Sequence, residues 1–101
     1  MRLFAARLTA CMALLLATTA AFAQAGKTEL LWLGQAAFRL TTPSGKVIMI
    51  DPWIRTNPTT PAEYKDLEKL GKVDLILVTH GHFDHVADAP ALAMLHKARV
   101  F

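Results

Sequence analysis

The sequence predicts a layered α/β domain with the element order β-β-β-α-β-α. Two observations carry this expectation. Val47-Ile48-Met49-Ile50 and Leu75-Ile76-Leu77-Val78 are unbroken apolar runs, and they lack the alternation of a strand with one wet face, so both strands are expected to be covered on two faces. Tyr64, Leu67 and Leu70, and later Leu92 and Leu95, recur at helical spacing, which supplies the covering layer.

The punctuation sets the elements in order. Glu29 to Leu33 reads as the first strand, Gly34-Gln35 as a break, and Ala36 to Thr41 as the second strand. Thr42-Pro43-Ser44-Gly45 has turn chemistry, since proline presets φ and glycine accepts a positive one, so Lys46 to Ile50 returns as a hairpin partner. Thr60-Pro61-Ala62-Glu63 has the form of a capping box that opens an amphipathic helix, with Gly71 as its stop. A second helix starts near Asp88-Ala89-Pro90 and ends near Lys97, with Leu92 and Leu95 inward and Lys97 and Arg99 at its negative end. Val100-Phe101 reads as the start of another strand.

The first residues have a different character. Arg2 and Arg7 form a short basic segment, residues 8–22 are mostly apolar, and Ala21-Phe22-Ala23 offers the small residues a signal peptidase requires. The expectation is a signal peptide over residues 1–23, cleavage before Gln24, and a periplasmic or secreted mature chain of residues 24–101. Thr9, Thr18 and Thr19 interrupt the stretch, which falls short of the roughly 20 apolar residues of a membrane span. No stable membrane span is therefore expected after cleavage. Leu8-Thr9-Ala10-Cys11 has the look of a lipoprotein box, but its apolar stretch follows the cysteine instead of preceding it.

Without this segment, nine basic side chains face eight acidic ones, and no basic cluster of the kind that binds nucleic acid remains. Lys65, Lys69 and Lys72 read as a solvated helix side. Cys11 is the only cysteine, so the mature chain forms no disulfide even in an oxidising compartment. A core this small usually needs further support.

Three of the four histidines lie in Thr79-His80-Gly81-His82-Phe83-Asp84-His85, directly after the second apolar run. In an extended segment His80, His82 and Asp84 would share a face, with His85 where the chain turns away and Gly81 keeping the backbone between the first rings uncrowded. Imidazole nitrogens and a carboxylate oxygen suit zinc and other first-row divalent ions. Two histidines could hold one ion, and the Asp84-His85 pair suggests a second; two ions about 4 Å apart can activate a water for hydrolysis. The bland reading is a polar loop after a strand, but H-x-H-x-D-H at the C-terminal end of a buried strand favours a metal site. His96 has no partner at ligand spacing and reads as structural.

These residues resemble the metallo-β-lactamase superfamily signature. Leu31-Trp32-Leu33-Gly34-Gln35-Ala36-Ala37-Phe38 and Ile50-Asp51-Pro52-Trp53 are similar to its metal-dependent hydrolase branch, which includes ascorbate-phosphate lactonases and N-acylphosphatidylethanolamine phospholipases. The resemblance spans about Leu30 to Ala91. It implies an αββα sandwich, with His80 and His82 as ligands of a first metal and Asp84 and His85 of a second. Asp84 would also orient the attacking water, and Asp51 would support the metal loop through hydrogen bonds. As a plain strand-end aspartate, Asp51 would instead accept turn amides, and both readings stand. Gln35 takes the place of a frequent family histidine and receives no metal role, while Trp32 and Trp53 read as packing residues. Zinc is the implied cofactor, two ions in the complete protein, with manganese, iron or nickel able to occupy similar ligands. The implied substrates are small esters, lactones or phosphodiesters.

By the same resemblance the second half of the sandwich supplies further ligands, so the expectation is an N-terminal half. Three functions follow from this. The chain is part of an exported metal-dependent hydrolase, or a non-catalytic remnant with weak metal binding, or a small metal carrier that self-associates.

Overall fold

The computed structural model describes residues 26–101; the signal peptide expected over residues 1–23 lies outside the described residues. The five strands are β1 (Glu29–Trp32), β2 (Phe38–Thr41), β3 (Val47–Ile50), β4 (Leu75–Leu77) and β5 (Arg99–Val100), and they form one sheet in sequence order. β1, β2 and β3 are an antiparallel meander, whereas β4 and β5 join in parallel. Among the described residues, no helix is long and apolar enough to cross a membrane.

Local chemistry explains the meander. At the β1/β2 corner, Leu33 N–H donates to Ala37 O and Ala37 N–H to Gly34 O. Gly34 sits at φ 105, and a Cβ there would lie 2.5 Å from Thr59 Oγ1, so both conformation and space require glycine. At the β2/β3 corner, Gly45 N–H donates to Thr42 O and Lys46 N–H to Thr42 Oγ1, closing the expected turn.

The parallel crossover is fastened by Asp74. Its backbone N–H donates to Val47 O, and its carboxylate accepts from Val47 N–H at 2.9 Å with Lys72 at 3.3 Å. The Val47 hydrogen bond, aided by Lys72 and Lys46, outweighs burial and lowers the Asp74 pKa below the ordinary carboxylate value. Because the folded pKa is depressed, this contribution is fully present above the unfolded value of about 3.9 and is lost as pH falls through the lower folded value. In acid titrations followed by circular dichroism, Asp74→Asn should therefore be less stable than the parent chain near neutrality, the two converging as the solution becomes strongly acidic.

The layer over the sheet departs from the sequence expectation. Residues 60–71 form two 3-10 turns, Ala62–Tyr64 and Leu67–Leu70, instead of one helix. Thr60 is no cap, because its hydroxyl donates to Leu33 O. Asp66 takes an extended backbone, ψ 109, and its side chain accepts from Glu68 N–H, which ends the first turn and caps the second. Leu67 and Leu70 are nevertheless both buried, since residues three apart eclipse in a 3-10 turn. A four-residue helix, α1 (Phe83–Val86), and a longer one, α2 (Ala89–His96), complete the layer. α2 starts and stops as expected, with Lys97 in the left-handed region at its end. Leu92 is fully buried, whereas Leu95 is 44% exposed and does not face inward. Arg99 belongs to β5 and not to the helix end.

Directly opposed residues share a face of the sheet. One face carries Leu31, Val47, Met49 and Ile76, and it packs with Leu67, Leu70 and Leu92 into the core. Leu30, Trp32, Phe38, Leu40, Ile48, Ile50, Leu75 and Leu77 point the other way. The expected cover on both faces of β3 and β4 is thus found on one only among the described residues, because every helical segment lies on the same side. Leu30 is 62% exposed and Trp32 56%, so among the described residues Trp32 is not buried by packing.

Candidate metal centre

The site is built at the C-terminal ends of β3 and β4, which are adjacent and parallel. Asp51 follows β3 and Thr79 follows β4, so parallel pairing brings these neighbours together. Asp51 adopts φ 44, a region that residues other than glycine seldom enter, though Asp and Asn do so most readily. Its carboxylate is almost entirely buried and accepts three hydrogen bonds. Thr79 N–H donates to Oδ1 at 2.7 Å, the Thr79 hydroxyl to Oδ2 at 2.8 Å, and Nδ1 of His85 lies 2.9 Å from Oδ2. Burial is the largest single influence on this carboxyl and raises its pKa, but the bonds from His85 and Thr79 together outweigh it and hold the group below its ordinary value. Asp51 therefore accepts a backbone amide and also bonds a histidine of the motif.

The chain bends through Thr79, His80 and Gly81, is extended at His82, ψ 145, and then turns into α1, where His85 N–H donates to His82 O. Asp84 consequently projects from a helix and not from an extended segment. A Cβ on Gly81 would meet nothing within 4 Å, so this position has no steric need for glycine.

The structure brings all the expected side chains together. Nε2 of His80 lies 3.0 Å from Nδ1 of His82, and the rings of His80 and His85 are 4.0 Å apart between centroids. Nε2 of His85 is 3.7 Å from Oδ2 of Asp84. Two nitrogens held at about 2.0–2.1 Å from one tetrahedral ion would stand roughly 3.3 Å apart, close to the spacing of the first pair. The donor set is thus chemically suited to divalent ions as two pairs. Among the described residues, no three such side chains converge on a single ion position.

Two contributors escaped the sequence reading. Gln35, at φ 48 after Gly34, donates its side-chain amide to Oδ2 of Asp84. That bond is the largest influence lowering the Asp84 pKa below its usual range. Its sequence signal was the glycine before it, which lets the corner turn tightly enough to aim the side chain. Thr79 is the other, visible only as a polar residue ahead of the first histidine. His96 stands on α2, and its Nε2 is buried without a hydrogen-bond partner among the described residues. Trp53 donates from Nε1 to Thr56 Oγ1 and meets Phe83 edge-on at 5.9 Å, beside the motif.

Residues 29–98 match the beta-lactamase superfamily domain. A UPF0173 metal-dependent hydrolase from Polaromonas sp. is 71% identical over 72 residues, which cover 71% of this chain and 26% of that protein. One from Cupriavidus necator is 66% identical over 77 residues, covering 76% and 27% respectively. The chain thus spans about a quarter of the length of the curated relatives it matches. The solved structure of a metallo hydrolase from the hyperthermophilic archaeon Ignicoccus hospitalis superposes with a TM-score of 0.65 at 38% identity, covering 73% of this chain and 31% of that one. With the domain match running from β1 into the last residues before β5, the chain belongs to the metallo-β-lactamase superfamily, and the relatives it matches there are metal-dependent hydrolases.

Proposed function

We propose that this chain forms the part of an exported, dizinc hydrolase that supplies His80 and His82 to one ion and Asp84 and His85 to the other. The observation that carries the reading is the run of contacts that links these four side chains, His82 to His80, His80 to His85 and His85 to Asp84, with His85 tied to the buried carboxylate of Asp51 at the ends of two parallel strands. Bound divalent ions would supply Lewis acidity and lower the pKa of a coordinated water. The protein's own share is positional. Asp51 anchors His85 and the start of the motif, while Gln35 holds Oδ2 of Asp84, and the carboxylate so fixed would accept a proton from, and so orient, an attacking water. Export rests on the character of residues 1–23, and the substrate class is a small ester, lactone or phosphodiester.

A second reading is supported for the chain on its own. Two donors per ion fall short of the four that zinc ordinarily takes, and one sheet face carries eight apolar residues without cover among the described residues. On that footing the isolated chain binds zinc weakly and does not turn substrate over. Calorimetric zinc titration of the full chain should show micromolar or weaker binding that is lost in His82→Ala. Binding that survives unchanged in His80→Ala, His82→Ala and His85→Ala would remove the basis of the proposal. Turnover of a phosphodiester or lactone probe that His82→Ala abolishes would overturn the second reading alone.

A further inference from the structure

We propose that Thr79 is a positioning residue that holds His80 as its Nδ1–H tautomer, so that the Nε2 lone pair faces the cation. The inference deepens the metal reading of His80 and rests on it for its purpose, but its geometry stands independently.

The Thr79 hydroxyl lies between two partners, Oδ2 of Asp51 at 2.8 Å and Nδ1 of His80 at 2.9 Å. A hydroxyl has one proton to give and two lone pairs to receive with. An ionised carboxylate has none to give, so the hydroxyl proton must point at Asp51. The contact with His80 can then be a hydrogen bond only if the ring donates, which places its proton on Nδ1 and leaves Nε2 bare. That bare nitrogen is the one 3.0 Å from Nδ1 of His82.

Thr79 has little freedom to do otherwise. Its backbone N–H is bonded to the second oxygen of the same carboxylate at 2.7 Å, and a β-branched side chain has few rotamers. The same Oδ2 also faces Nδ1 of His85 at 2.9 Å. One carboxylate therefore sets two rings, His85 directly and His80 through a hydroxyl, and both present Nε2. Metal-bound histidines commonly have the other ring nitrogen tied in this way. Here the tie for His80 is a threonine.

Two-bond proton–nitrogen correlation spectra of the full chain without added metal, at a pH where the imidazoles are neutral, report each tautomer directly. His80 is expected as Nδ1–H in the parent chain and in Thr79→Ser, which keeps the hydroxyl. In Thr79→Val, which keeps the shape, His80 should shift toward Nε2–H while His85 remains Nδ1–H, an internal sign that Asp51 and the fold are intact. Calorimetric zinc affinity should fall by about 10–100-fold in Thr79→Val and recover in Thr79→Ser. His80 found as Nε2–H in the parent chain overturns the inference, and so does an unchanged His80 spectrum in Thr79→Val. Either result leaves zinc binding by the parent chain, and with it the proposed function, standing. The Nδ1–H signature in a chain that takes up no zinc supports the role of Thr79 and defeats the proposed function instead.

Discussion

Asp51→Ala is expected to weaken zinc binding by about 10–100-fold and to lower stability by several kcal/mol. The affinity loss follows from freeing His85 and Thr79 together, since both are tied to this carboxylate. The stability loss has two sources. His85 Nδ1, left without its acceptor in a mostly buried ring, costs about 1–3 kcal/mol, the exposed Thr79 adds less, and alanine is poorly suited to the left-handed backbone, φ 44, that Asp51 adopts. Asp51→Asn separates the two effects. Asparagine tolerates that backbone and keeps one acceptor oxygen, so most of the stability should return while zinc affinity stays low. Thermal melts and calorimetry on both variants decide the matter. An Asp51→Ala chain that binds zinc as tightly as the parent would show that the carboxylate has no part in ordering the ligands.

Met49→Ala should leave much of the chain unfolded at room temperature. Met49 is fully buried on β3 and meets the covering layer on the packed face. Its truncation is expected to cost about 2–5 kcal/mol, whereas a domain this small rarely holds more than about 3–5 kcal/mol in all. Ile48→Ala, one residue earlier on the other face, removes a comparable amount of hydrocarbon but should cost clearly less, because Ile48 is only partly buried. Urea unfolding gives both numbers. Equal shifts in midpoint would contradict a core that lies on one side of the sheet.

Much of the sheet was legible because its signals are local. The breaks at Gly34-Gln35 and Thr42 to Gly45 fall where the chain turns, and the two apolar runs are the central strands. The helix read from Thr60 onward failed for a reason that spacing does not reveal. Thr60 bonds across the fold to Leu33 and caps nothing, and Asp66 offers its own carboxylate to a nearby amide, so the cap falls six residues later than the sequence suggested. The continuous apolar character of β3 and β4 was right about inward-facing Met49 and Ile76, but it says nothing about which segment covers the opposite side. At the site, the four residues of the motif could be read together because they are contiguous. Gln35 reaches Asp84 across 49 positions, and no periodicity carries that information. Thr79 was hidden differently, since a hydroxyl beside a histidine is common and gains meaning only once Asp51 is seen to complete the chain of bonds.

The mixture of antiparallel and parallel pairing has a kinetic consequence. The β1 to β3 meander closes through short loops, whereas Asp51 meets Thr79 and His85 over separations of 28 and 34 residues, and long closures are the slower and entropically costlier events. The cradle of imidazoles is therefore expected to close after the meander. A cation captured there should stabilise chiefly what forms last. It would lengthen the lifetime of the native state by slowing escape from it, while leaving the speed of folding nearly untouched.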